Sequence, residues 1–182
     1  LHAAGLRVGM DVVYNHAGGS GQAVHSVLDR IVPGYYQRLD AEGKVATSTC
    51  CANTATEHRM MGKLMRESVA SWAGAYRIDS FRFDLMGHQP RAAMLDVQHA
   101  ANVAAGRIPL LGEGWDFGEV ANNARFVQAA QGELDGTGIA TFSDRARDAL
   151  RGGGCCDAGS DLIANQGLLN GLHAAPNAYG KG

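Results

Sequence analysis

Three short runs of the sequence hold side chains suited to acid–base and nucleophilic chemistry. DVVYNH carries Asp11, Asn15 and His16; FRFDLMGH carries Arg82, Asp84 and His88; GEGWD carries Glu113, Trp115 and Asp116. Asp84 and Glu113 stand 29 positions apart. Two carboxylates flanking a bond are the requirement of glycoside hydrolysis, one ionised to attack the anomeric carbon and one protonated to supply the leaving oxygen. Arg82 precedes Asp84 by two residues, so in a strand both side chains share a face. Its positive charge favours the carboxylate form of Asp84, and repulsion from that charge suits Glu113 to the role of acid. Taken singly, F-R-F-D reads as a strand-end ion pair, G-E-G-W as a turn, N-H as a helix cap and His88 as a surface histidine at a helix start. Their joint spacing is the signal.

The elements around these runs explain the spacing. Strands are expected at Arg7–Tyr14, Arg77–Phe83, Ile108–Gly112 and Gly138–Phe142, short and apolar as buried parallel strands are. A helix is expected from near Thr54, where Thr54-Ala55-Thr56-Glu57 has the form of a capping box. Met61, Leu64, Met65, Val69, Trp72 and Tyr76 give it one apolar face. A second helix runs from Pro90 to near Gly106, with Met94, Val97 and Ala101 inward. A third helical segment is expected over Glu119–Ala130 and a short one over Asp144–Arg151. Beyond Gly152 no strand is expected. Residues 17–53 read as one long irregular segment, of the kind that carries function. Strand–helix alternation at a repeat near 30 residues matches the unit of a (β/α)8 barrel, whose active site lies at the C-terminal strand ends. The 73 positions between Asp11 and Asp84 make one unit plus a loop insertion. The expected fold is therefore α/β, an incomplete (β/α)8 TIM barrel of about strands 3 to 6, with the 17–53 insertion.

Composition narrows the class. The chain has 182 residues, net charge −2 and 46% hydrophobic residues, which excludes a disordered chain and a polybasic nucleic-acid binder. No apolar run has the length of a membrane-spanning segment. Glycine reaches 25 residues, about twice the usual ~7%. Four cysteines form two adjacent pairs, Cys50-Cys51 and Cys155-Cys156. They admit three states: buried free thiols, vicinal disulfides, or a bridge between the pairs. Leu1 in place of Met, and a first strand with nothing before it, lead us to expect a segment of a longer chain. Alone, such a half-barrel would expose strand edges and be poorly folded and inactive.

DVVYNH at 11–16, DSFRFDLMGHQP at 79–90 and GEGWDFGEV at 112–120 resemble three conserved regions of the alpha-amylase superfamily, glycoside hydrolase family 13. The likeness is to its pullulanase type. GEGWD discriminates, because the isoamylase group has proline where Gly114 stands. PGYYQRLD at 33–40, CCANTATEHRMM at 50–61 and GIATFSDRARDALRGGG at 138–154 extend the resemblance over nearly the whole chain. It implies Asp84 as nucleophile, Glu113 as general acid/base and Arg82 as the arginine that holds the nucleophile. It implies Asp11 and His16 as residues shaping the subsite of the attacked glucose. Asn15, in the same motif, is implied in substrate binding, structure or calcium. Trp115 looks like an aromatic platform beside the scissile bond, with Asp116 next to it, and His88 is a further binding candidate. Ser80 and Ala140 depart from family glycines, and the fourth conserved region, with its third carboxylate, is not found.

The resemblance implies a starch-debranching glycosidase that cleaves α-1,6 branch linkages in pullulan, starch or glycogen dextrins with retention. An isoamylase-like or α-1,4-acting relative, or a non-catalytic glycan-binding homologue, are the alternatives. The expected partner is a branched α-glucan, with no nucleic acid and no membrane span; oligomeric state is open. No cofactor is required, and Ca2+ is compatible with the oxygen-rich loops, although none has EF-hand spacing. Localisation is open, with secretion or the cell surface favoured over the cytoplasm.

Overall fold

The structure, a computed structural model, describes residues 1–171. They divide into two compact units, one up to Thr141 and one from Phe142. The first is α/β. Its elements are β1 (Gly9–Val12), β2 (His16–Ala17), α1 (Leu28–Ile31), β3 (Ala52–Asn53), α2 (Arg59–Tyr76), β4 (Ser80–Phe83), α3 (Arg91–Ala105), β5 (Leu110–Gly112) and β6 (Ala140–Thr141). Four strands form one sheet in the order β1-β4-β5-β6, and every pair is parallel. The strands lie inside the spans expected from sequence and are shorter than them.

Alternation along the strands sorts side chains to two faces. Phe81 and Phe83 of β4, Val12 of β1 and Leu110 of β5 are buried with Met65, Val69 and Ala73 of α2 and with Met94, Val97 and Ala101 of α3. This is the apolar stripe of each helix meeting one face of the sheet. Leu64 and Tyr76, expected on that stripe, are exposed, and Tyr76 instead packs against Trp72, with ring centroids 4.4 Å apart and planes tilted by 43°. Asp11 and Arg82 occupy the opposite face, side by side in register. Gly9 is the register partner of Ser80, and a Cβ on Gly9 would lie 3.0 Å from the Ser80 hydroxyl. The bare Gly9 thus makes room for the Ser80 side chain.

Two expectations about helices are corrected. The Thr54–Glu57 capping box does not form, and α2 begins at Arg59 after His58, whose side chain caps nothing. Thr54 donates its hydroxyl to the Tyr14 carbonyl, and Glu57 binds Arg38, so tertiary partners claim both cap groups. The helix expected over Glu119–Ala130 is a 3-10 segment, Gly118–Asn123, followed by loop. Asn122 and Asn123 take left-handed φ of 55° and 59°, which stops a right-handed helix. Asn123 and Gln128 then exchange two backbone-to-side-chain hydrogen bonds that shape the loop.

The irregular segment is ordered by pairing. It holds the short α1 and the antiparallel β2–β3 ladder, with His16 opposite Asn53. The second unit holds α4 (Asp144–Arg151), at the expected span, then α5 (Ser160–Ala164) and α6 (Leu168–Gly171). Ser143 caps α4 by accepting from the Ala146 N–H at 3.1 Å. No helix among the described residues is long and apolar enough to cross a membrane.

Candidate active site

Register places the two carboxylates together. Phe83 pairs with Gly112, so Asp84 and Glu113 are each the first residue past adjacent parallel strands. Backbone bonds carry the pairing into that step: Asp84 N–H to Val12 carbonyl at 3.0 Å and Glu113 N–H to Phe83 carbonyl at 3.1 Å.

Arg82 joins the group. Its Nη1 lies 2.9 Å from Asp11 and 3.2 Å from Asp84, and its Nη2 lies 2.8 Å from Glu113. The sequence assigns this arginine to Asp84; the structure gives it three carboxylates. Burial works to lower its pKa, and Asp11, Glu113 and Asp84 together raise it, so it stays a fixed cation. Asn15 is buried and donates from Nδ2 to both the carbonyl and Oδ2 of Asp84, each at 3.1 Å. It is therefore a positioning residue for Asp84. Glu113 Oε2 accepts from the Leu85 N–H at 2.9 Å. Leu85 takes the left-handed conformation, φ 41°, which costs a residue with a Cβ about 1–2 kcal/mol. That backbone strain aims its N–H at Glu113.

The adjoining loops are set by close approach. A Cβ on Gly87 would come within 2.0 Å of the Trp115 carbonyl, and one on Gly114 within 2.8 Å of the Gln131 nitrogen. Gly87 also donates to the Glu113 carbonyl at 2.9 Å. These contacts bind the turn after β4 to the GEGWD loop. Trp115 is half-buried there, and exposed Asp116 accepts from the Asn122 N–H at 2.8 Å. His16 is half-buried on β2, with Nε2 3.4 Å from Cys50 Sγ. His88 is not at the surface: it is fully buried, edge-on to Phe117 at 4.6 Å. Burial lowers its pKa, opposed by Glu119.

A buried brace behind the site was not singled out from sequence. Arg38, 1% exposed, forms a fork with Glu57 at 2.9 and 2.8 Å. It reaches Glu119 at 3.1 Å and the His88 carbonyl at 2.9 Å, and its guanidinium lies 5.2 Å from the Phe126 ring centre. Glu119 also accepts from Ser48 and, at 2.9 Å, from Asn53. One arginine thus ties the 17–53 segment to the loops after β4 and β5. PGYYQRLD, TATEHR and GEV hold these residues, but nothing local in those motifs pairs them.

Burial works to raise the Glu119 pKa, yet its hydrogen bonds, led by Ser48, hold it down to about 2. A depressed carboxyl pKa stabilises the fold above the unfolded value, 4.5, and that stabilisation is lost as pH falls toward about 2. Denaturant titrations of the full-length protein at both ends of this window should show the parent losing more stability on acidification than Glu119→Gln. Equal losses would refute the link.

Comparison with known proteins settles kinship. No family model matches the chain. It is 49% identical to the pullulanase of Klebsiella aerogenes over 95% of its own length, and 46% identical to the chloroplastic pullulanase 1 of Arabidopsis thaliana over 100%. The chain is a homologue of the pullulanases. It spans 16% of the length of the first pullulanase and 19% of the second. The fold agrees: a maltotriose complex of the pullulanase PulA from Klebsiella pneumoniae superposes with a TM-score of 0.85 at 50% identity, over 91% of this chain and 18% of that one.

Proposed function

We propose that this chain is a central part of the catalytic (β/α)8 domain of a debranching glycoside hydrolase, about strands 3 to 6, with 17–53 as a loop insertion. The substrate is a branched α-glucan: pullulan, starch or glycogen-derived dextrins, cut at α-1,6 linkages. The observation that carries the reading is Arg82 holding Asp11, Asp84 and Glu113 in one cluster at parallel strand ends, in a chain homologous to pullulanases. The maltotriose bound by a structural relative supports an oligosaccharide site.

The course is double displacement with retention. Asp84, oriented by Arg82 and Asn15, attacks the anomeric carbon as the glycosidic bond breaks. Glu113 gives its proton to the leaving oxygen. Glu113 then takes a proton from water, which attacks the glycosyl–Asp84 ester, releases the sugar and restores both carboxyl groups. Asp11, His16, Trp115 and Asp116 line the glucan, while His88 supports the Trp115 loop from beneath. These steps use side chains and water. The Cys50–Cys51 disulfide suits an oxidising compartment, and on that ground the proposal includes secretion or cell-surface display.

Strands β1 and β6 are the edges of the sheet among the described residues, so the test uses the full-length protein. Incubation with pullulan should release maltotriose as the product. Products of α-1,4 cleavage would sink the α-1,6 assignment, and maltotriose of inverted anomeric configuration would sink the retaining course.

A further inference from the structure

The three possible states of the cysteines resolve differently for the two pairs. Cys155 and Cys156 are free and exposed, contrary to buried thiols, whereas Cys50 and Cys51 are joined as a vicinal disulfide. The bonded pair has a third partner. The β2–β3 ladder sets His16 opposite Asn53, which brings the preceding turn over the imidazole. His16 Nε2 then lies 3.4 Å from Cys50 Sγ, and the ligand atoms of His16, Cys50 and Cys51 all fall within 4.8 Å of one another. Cys50 is exposed and the other two are half-buried, so solutes reach the cluster. The Nδ1 of His16 has no hydrogen-bond partner among the described residues. No contact therefore requires Nε2 to carry the proton, and its lone pair can face the sulfur.

We propose that reduction of the Cys50–Cys51 bond creates a site for one Zn2+ ion, held by His16 Nε2 and the two sulfurs. A dithiol or phosphine supplies two electrons, and with two protons the disulfide becomes two thiols. Zn2+ then displaces both thiol protons and takes the two thiolates and the neutral imidazole, leaving a fourth position for water. The distances suit this ion. Tetrahedral zinc with bonds of about 2.3 Å to sulfur and about 2.0–2.1 Å to nitrogen sets N···S near 3.5 Å and S···S near 3.8 Å. The first matches the observed 3.4 Å, and the second needs only that the freed sulfurs rotate apart in an exposed turn. Two thiolates and an imidazole are a donor set that favours zinc over the hard cations. In the disulfide form the sulfurs are not thiolates and the site is closed to metal.

His16 also lines the glucan in the proposed reaction, so the test reads metal binding, which stands or falls independently of turnover. The full-length protein carrying Cys155→Ser and Cys156→Ser, which removes the second dithiol, is reduced with a phosphine, desalted without oxygen and titrated with Zn2+. Reduced protein should take up one more zinc per chain than oxidised protein. Adding Cys50→Ser and Cys51→Ser should abolish that difference, and His16→Ala should weaken the site at least tenfold. With Co2+ as probe, a sulfur-to-cobalt charge-transfer band should appear in the reduced form alone, a test that needs no further variant if those at 16, 50 or 51 fail to fold. Equal uptake by the two redox forms, no cobalt band, or undiminished affinity in His16→Ala would each overturn the proposal.

Discussion

Asp84→Asn in the full-length protein should lower turnover of pullulan by at least about 10⁴-fold and leave dextrin binding within a few-fold of the parent. The amide keeps the shape of the side chain but has no charge with which to attack the anomeric carbon. The surroundings explain why binding survives. Arg82 retains Asp11 at 2.9 Å and Glu113 at 2.8 Å after losing Asp84, so the cluster keeps its cation anchored on two sides. Asn15 retains the Asp84 carbonyl as an acceptor, so the turn into Leu85 stays in place and Glu113 keeps its N–H donor. Steady-state kinetics on pullulan together with calorimetric binding of maltotriose separate the two effects. Near-normal turnover would eliminate Asp84 as nucleophile. Joint loss of turnover and binding would mean that the charge of Asp84 organises the site rather than attacks.

Arg38→Met should destabilise the full-length protein by about 1–3 kcal/mol, the cost of taking a charged donor from its hydrogen-bond acceptors. Glu57 loses both bonds of its fork, Glu119 loses its cation while keeping Ser48 and Asn53, and the His88 carbonyl loses a donor. The methionine fills much of the volume but answers none of these groups. Arg38→Lys should recover only part of the loss, because an ammonium cannot reproduce the fork on Glu57 while reaching Glu119. Activity should fall in both variants, since the brace joins the loops that carry Trp115 and the turn after Asp84. Adding Glu57→Gln and Glu119→Gln to Arg38→Met should recover part of the stability by removing charges left without their cation. Denaturant unfolding measures both effects, and a loss below about 1 kcal/mol for Arg38→Met would place the brace among ion pairs of no consequence.

The proposed catalytic pair and the brace around Arg38 differ in how legible they were. Asp84, Glu113 and Arg82 could be read because strand ends recur at a fixed interval and alternation places residues two apart on one face. Both rules are local, and the parallel register of β4 and β5 then sets the two carboxylates side by side. Met61, Met65 and Val69 of α2 and Met94, Val97 and Ala101 of α3 were legible as inward residues for the same reason, periodicity being a property of the backbone, whereas Leu64 and Tyr76 are exposed. Arg38, Glu57 and Glu119 lie in three separate segments, and only the folded loops bring them into contact. No spacing encodes that meeting. The capping box at Thr54 failed for a related reason: its groups had stronger partners, Tyr14 and Arg38, far away in sequence. The 119–130 helix failed because two asparagines within it take left-handed conformations.

By itself, then, the sequence determined the strand–helix alternation, most of the inward face of α2 and the inward residues named for α3, and the placing of two carboxylates one repeat apart, because each follows from backbone periodicity. Only the tertiary structure decided that Arg82 serves three carboxylates, that His88 is buried, that Cys50 and Cys51 pair beside His16, and that Arg38 ties three loops together. Each of these depends on contacts between segments distant along the chain, where burial and charge pairing outweigh local preference.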